Sequence, residues 1–294
     1  MGRRGGREVE VHAVLHHLRF GDGQDVDADS DGVGIGEARR LDVGHAGFLA
    51  GNAPAERLRP EPAHRGVILS IHRNLNKPQR HAANPKLSRL KLLPAGAGCR
   101  WVATDDLRAR ELAGYDGVWL LPGTPYRDDE VAYAAIGHCL DTGTPFLGTC
   151  GGFQYAAVAL ARARLGLAGA GHAESDPDAG QHVIVALQCA LYGERRTVTP
   201  VPGTRLSSIC GEAPFEGFHY CGYGLDDHFA AKLQDVGVVI AAHAPDAGLE
   251  ALELAEHPFF LATAFQPQVG SSHSGELHPI LSAWLQAAAA GSTR

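Results

Sequence analysis

Cys150 has the clearest chemical potential in this 294-residue chain; it lies in the run Phe146-Leu-Gly-Thr-Cys-Gly-Gly-Phe-Gln154. An apolar strand, then Gly-x-Cys-x-Gly, then a helix is the pattern of a nucleophile held on a tight turn. Gly148 and Gly152 omit the Cβ atoms that would clash there, so the sulfur can stand clear of a sheet. The following helix points its N-terminus at the sulfur, which favours thiolate over thiol. Its first N–H groups, from Gly151 and Gly152, can bind a developing oxyanion, and the Pro122-Gly123 turn offers a second donor. The competing reading is a buried cysteine beside packing glycines.

A strand must deliver Cys150 and a helix must leave it, and the chain supplies both. Pro145–Thr149 reads as the strand and Phe153–Leu165 as the helix. Upstream, Val67–Ile71, Arg100–Thr104 and Tyr115–Leu121 are short apolar runs of the kind buried in a parallel sheet, the last stopped by Pro122-Gly123. Asp128–Leu140 reads as a helix, with Asp128, Asp129 and Glu130 suiting its N-terminal dipole. Downstream, strands are expected at His182–Leu187, Val236–Ala241, Leu249–Leu254 and Phe259–Phe265, and a closing amphipathic helix at His278–Ala288. This alternation predicts an α/β fold: a doubly wound, mostly parallel sheet flanked by helices over residues 66–294. Gly123 and Cys150 both fall at carboxyl ends of strands, where such sheets bind ligands.

Residues 1–65 read differently, as an irregular and disordered extension rich in Gly, Asp, Arg and His. Within it, Asp25–Gly32 has the look of a calcium loop, but Ala38 occupies the place of the bidentate glutamate, so a solvated acidic loop is expected. Val33-Gly-Ile-Gly36 lacks the preceding strand and third glycine of a dinucleotide fingerprint.

Composition narrows the function classes. A formal net charge of -7 argues against nucleic acid as a partner, and no apolar run approaches membrane-spanning length. The twin arginines at the start precede no apolar signal segment, so a cytoplasmic location is expected. The six cysteines include no C-x-x-C pair, which disfavours a disulfide framework and a structural zinc. No metal and no cofactor are expected.

Residues 66 to about 290 resemble a class I glutamine amidotransferase domain, most of all the stand-alone relatives of the C-terminal glutaminase domain of CTP synthase. The resemblance rests on Leu121-Pro-Gly-Thr-Pro125, Gly148-Thr-Cys-Gly-Gly-Phe-Gln154 and His172-Ala-Glu-Ser175. It continues through Phe218-His-Tyr-Cys-Gly-Tyr-Gly-Leu225 and His257-Pro-Phe-Phe-Leu-Ala-Thr-Ala-Phe-Gln-Pro-Gln268. It implies a cysteine that attacks a side-chain amide and releases ammonia from a thioester. It also implies a small amide or amino-acid-like substrate and an ammonia-accepting synthetase as partner; oligomerisation stays open. The first 65 residues are too short for a synthetase domain, so CTP synthesis by this chain alone is not expected.

The family pattern calls for a histidine and, two residues later, a glutamate; here Gln266 and Gln268 stand in those places. An amide can neither take the thiol proton nor hold an imidazolium. Three readings follow. Another histidine serves as base, with His172, His219 and His278 best placed by motif and His219 preferred. Alternatively, the helix dipole alone makes the thiolate, for a substrate more reactive than an ordinary amide. Or the chain is a non-catalytic ligand-binding or regulatory member of the fold. The resemblance also makes Gln154 a contact for the substrate's polar groups, or an ordinary first-turn helix residue. Glu174 is a partner for a histidine or a substrate amine, or a solvated loop acid.

Overall fold

The computed structural model describes residues 66–70, 99–245, 248–274 and 277–291. The acidic run at Asp25–Gly32, the Val33–Gly36 segment and the expected extension over 1–65 lie outside them. Ten strands form one sheet path: β1 (Gly66–Ser70), β2 (Cys99–Val102), β3 (Tyr115–Leu120), β4 (Phe146–Thr149), β5 (Ala170–His172), β6 (Gln181–Pro200), β7 (Phe215–Leu225), β8 (Val239–Ala244), β9 (Gly248–Glu253) and β10 (Phe260–Thr263). Their order is β2-β1-β3-β4-β10-β9-β8-β6-β5, with β7 paired to β6. From β2 through β10 every pairing is parallel; from β10 through β8 to β6 the pairings turn antiparallel.

The parallel half is wound as the alternating pattern predicts, with helices packed over its strands. The helix α1 (Asp129–Thr142) starts where the Asp128 carboxylate accepts from the Val131 N–H at 3.0 Å and stops at Gly143, whose φ of 71° ends the helical path. The helix α2 (Gly151–Arg164) is buried continuously from Gly151 to Ala161. The short α3 (Arg205–Cys210) and α4 (Asp227–Asp235) follow β6 and β7; α5 (Pro267–Ser274) and α6 (Pro279–Gly291) close the chain.

Strand alternation divides the core into two layers. Val118, Leu120 and Phe146 face α1 and α2, while Trp119, Leu121 and Leu147 face α6. The Trp119 and Trp284 rings meet edge-on at 5.8 Å between centroids, which ties α6 to β3. Each such fully buried side chain contributes roughly 1.5–3 kcal/mol by leaving water.

The largest departure from the sequence reading is the ribbon of β6 and β7. The strand expected over six residues runs for twenty, and β7 has no counterpart among the expected strands. Much of β6 beyond Leu187 is exposed, so no alternating apolar face marks it. In β7 glycines interrupt the pattern, and Gly217 is needed where a Cβ would come within 2.7 Å of Val198 and 2.9 Å of Phe265. Among the described residues, no helix is long and apolar enough to cross a membrane, and no group of three metal-ligating side chains is present.

Candidate active site

The turn after β4 is built around one strained residue. Cys150 has φ 53° and ψ −107°, the sole positive φ outside glycine among the described residues. Such a conformation costs roughly 1–3 kcal/mol and persists only where its surroundings hold it. Here the Cys150 N–H donates to the Thr263 carbonyl of β10 at 2.8 Å. Its carbonyl accepts from Phe153 and Gln154 N–H at 3.0 and 3.2 Å, which starts α2.

The glycines around it are required by close approach. A Cβ on Gly151 would lie 2.2 Å from the Gly123 carbonyl oxygen, and one on Gly152 would lie 2.3 Å from that of Leu120. Real Cβ atoms do not come so near, so only glycine lets the start of α2 rest against the end of β3 and the Gly123 turn. That contact sets the N–H groups of Gly151 and Gly123 together on the Cys150 sulfur. Gly148 is held the same way, since a Cβ there would lie 2.6 Å from the Gly152 oxygen.

Cys150 is 3 % exposed. Burial alone would push its thiol up, yet the thiol is held below the usual range. The largest cause is a hydrogen bond from the Cys221 thiol, followed by the Gly151 N–H, the Gln266 side chain and the Gly123 N–H. Cys221 is raised well above its ordinary value by that bond, by burial and by the nearby charges of Cys150 and Glu250. The Cys221 thiol therefore holds its proton more tightly than the Cys150 thiol does. Cys150 Sγ also lies 3.7 Å from the Tyr220 carbonyl oxygen.

The histidines expected near the sulfur are engaged elsewhere. His219, buried on β7, places Nε2 at 2.9 and 2.8 Å from the two carboxylate oxygens of Glu250, and Nδ1 at 3.2 Å from the Gly217 carbonyl. Both ring nitrogens face oxygen, which leaves no lone pair turned to Cys150. His172 accepts from the Glu174 N–H at Nδ1 (3.1 Å), which fixes the proton on Nε2, 3.0 Å from Gln154 Oε1. Burial and, secondarily, His182 push the His172 imidazole down to about 4, so the ring is neutral. His278 caps α6, with Nδ1 accepting from Ile280 N–H at 3.2 Å, and burial holds it at about 4 as well.

Gln154 joins this network from the other side. Its Nε2 donates to the Tyr223 carbonyl at 2.8 Å, so the amide bridges His172 to the β7 ribbon. The Glu174 carboxylate accepts from the Thr124 hydroxyl at 2.6 Å, beside the Gly123 turn. Gln266 and Gln268 are both buried, and Gln268 Nε2 donates to Gln266 Oε1 at 3.1 Å. Gln268 Oε1 has no protein partner in hydrogen-bond geometry, and the NH2 end of Gln266 is left for the Cys150 sulfur. The structure thus gathers Cys150, Gly123, Gly151 and Gln266 at one point. It sets Gln154, His172 and Glu174 on a neighbouring wall and commits His219 to Glu250.

Sequence reasoning missed Cys221 and Glu250. Cys221 stands within the run from Phe218 to Leu225, but no strand is expected there to aim it. Glu250 is separated from His219 by 31 positions and carries no local signal.

Comparison with known proteins follows the same segment. The family described as Peptidase C26 matches residues 122–268. A CTP synthase from Chloroflexus aggregans is 31% identical over 209 residues, covering 65% of this chain and 37% of that protein. One from Trichormus variabilis is 33% identical over 227 residues, covering 72% and 40%. The matched segment therefore spans well under half of these relatives. Among solved structures, the glutaminase domain of Trypanosoma brucei CTPS with bound acivicin has a TM-score of 0.65 at 20% identity, covering 76% of this chain and 94% of that one. A putative GMP synthase component from Thermoplasma acidophilum has a TM-score of 0.52 at 18% identity, covering 77% and 96%.

Proposed function

The chain belongs to the Peptidase C26 family, with the glutamine amidotransferase-like fold, and from that premise we propose that it is a cysteine-dependent amidohydrolase acting on a small amide or amino-acid-like substrate. The observation that carries the reading is the convergence of the Gly151 and Gly123 N–H groups on a positive-φ Cys150 whose thiol is held low. The Cys150 thiolate attacks the amide carbon, and the two N–H groups receive the charge that develops on the carbonyl oxygen. Collapse of that intermediate expels ammonia or an amine and leaves a thioester, which water then hydrolyses.

The leaving nitrogen needs a proton, and neither Gln266 nor Gln268 can give one. The Cys221 thiol, which follows the carbonyl that touches the sulfur and holds its proton tightly, takes the acid's place in this reading. Where the ammonia is used rather than released, a synthetase supplied as a separate partner accepts it.

The test uses full-length protein with an electrophilic glutamine analogue, with acivicin as a second probe. Intact mass is expected to rise by one adduct on Cys150, and ammonia release from L-glutamine is expected with the same dependence on Cys150. Cys150→Ser should abolish both. Absence of both adduct and ammonia in the parent protein rejects the reading.

A second reading, ligand binding without turnover, draws on the unpartnered Gln268 Oε1. A buried acceptor without a donor suits an amide or protonated carboxylic acid ligand held beside a silent cysteine. Saturable binding of such a ligand without any adduct or ammonia distinguishes it.

A further inference from the structure

The contact between Cys221 and Cys150 has a chemistry of its own, independent of any amide substrate. Each sulfur is brought to the other by a different part of the fold. Cys150 is pinned by its N–H bond to Thr263, and Cys221 follows Tyr220, whose carbonyl oxygen lies 3.7 Å from Cys150 Sγ. Both thiols are free, and Cys221 directly follows the residue whose carbonyl touches the Cys150 sulfur. Cys221 is only half-buried, while Cys150 is buried. We propose that Cys150 and Cys221 form an oxidisable dithiol, which hydroperoxides convert to an intramolecular disulfide that reversibly silences the nucleophile.

The division of labour follows from the geometry. Cys150 is the attacking sulfur because helix N-terminal N–H groups and the Cys221 proton stabilise its thiolate. Its thiolate attacks the distal oxygen of a hydroperoxide and the O–O bond breaks. The departing alkoxide takes a proton and leaves as an alcohol, or as water when the oxidant is hydrogen peroxide. Sulfur has lost two electrons to the peroxide and is now a sulfenic acid. The Cys221 sulfur then attacks the Cys150 sulfur, an S–S bond replaces the S–O bond, and hydroxide leaves with the Cys221 proton as water.

The other described thiols lack this arrangement. Burial pushes Cys139 up and holds Cys210 at about 11, while Cys189 is exposed on β6. Cys189 therefore serves as the exposed internal reference.

The reduced full-length protein is treated with hydrogen peroxide, its remaining thiols are capped with N-ethylmaleimide, and peptides are analysed by mass. The expected product joins the Cys150 and Cys221 peptides, returns to separate peptides with dithiothreitol, and forms at least about tenfold faster than any oxidation of Cys189. In Cys221→Ser and Cys221→Ala, Cys150 should instead stop at a sulfenic acid that dimedone traps. The proposal is overturned if Cys150 in the parent protein is capped as before, or if it gives the same unlinked oxidised product with and without Cys221. Both readouts are masses, so they stand whether or not glutamine is hydrolysed.

Discussion

Gln268 Nε2 donates to Gln266 Oε1 over 3.1 Å, and this bond leaves the NH2 end of Gln266 for the Cys150 sulfur, whose thiol it helps hold low. The pair reproduces the layout of an orienting group behind a group that meets the sulfur, with amides in both positions. It holds its shape and moves no proton.

Replacing both amides should therefore install the missing chemistry. The double variant Gln266→His, Gln268→Glu places an imidazole against the sulfur and a carboxylate behind it. Ammonia release from an amide that fits the site is expected to rise by about 10²-fold or more, the usual contribution of a positioned base. An unchanged rate, with the adduct on Cys150 still forming, would show that proton transfer does not limit this site.

The lowered Cys150 thiol has a direct signature. Thiolate is the reactive form, so alkylation should stay fast at pH values where an ordinary thiol, with a pKa of about 8.5, is protonated. The pH–rate profile for iodoacetamide should have its midpoint below that value and shift upward in Cys221→Ser, which loses the largest stabilising contact. A midpoint at or above about 8.5 in the parent protein contradicts the assigned charge distribution.

Gly151→Ala tests the turn itself. Its Cβ has no room 2.2 Å from the Gly123 oxygen, so the Gly123 turn must move away from the sulfur. Overpacking of this kind costs roughly 1–3 kcal/mol in urea unfolding. Loss of one oxyanion donor should slow acylation of Cys150 by about 10²–10³-fold. A variant that is destabilised but acylates at the parent rate would remove Gly123 from the oxyanion role.

Glu250→Ala leaves His219 buried without its partner. Removing one member of a buried pair typically costs about 3–5 kcal/mol, and a urea midpoint lowered accordingly is expected. A loss below about 1 kcal/mol would mean that His219 finds another partner.

The acid side of stability should depend on His172. Its folded pKa of about 4 lies below the unfolded value of 6.5, so it binds fewer protons folded than unfolded. Its contribution is complete above pH 6.5 and drains as pH falls towards 4, by at most about 1.4 kcal/mol per pH unit. His278 acts in the same direction over the same window. Denaturation midpoints between about pH 7 and pH 4 should therefore fall less steeply for His172→Gln than for the parent; equal slopes would place the drain elsewhere.

What the sequence revealed divides along physical lines. The turn at Cys150 is legible because close approach demands glycine, and glycine is visible as a letter. The strands β3 and β4 are legible because they are buried and read as unbroken apolar runs. The ribbon is not, since its exposed stretches carry no period and its twenty-residue length follows from pairing in space. His219 reads as a base because its motif places it near the substrate, while the carboxylate that occupies it comes from β9. Cys221 reads as one of several buried thiols, since only the path of β7 turns it towards Cys150.

The ribbon meets this centre largely through main-chain oxygens, Tyr220 O at the sulfur and Tyr223 O at Gln154. A carbonyl is the one contact that point mutation cannot delete. Such contacts follow the course of the backbone, so they persist when the side chains of Tyr220 and Tyr223 are exchanged. The main chain of the ribbon thereby holds its place at the nucleophile independently of those two rings.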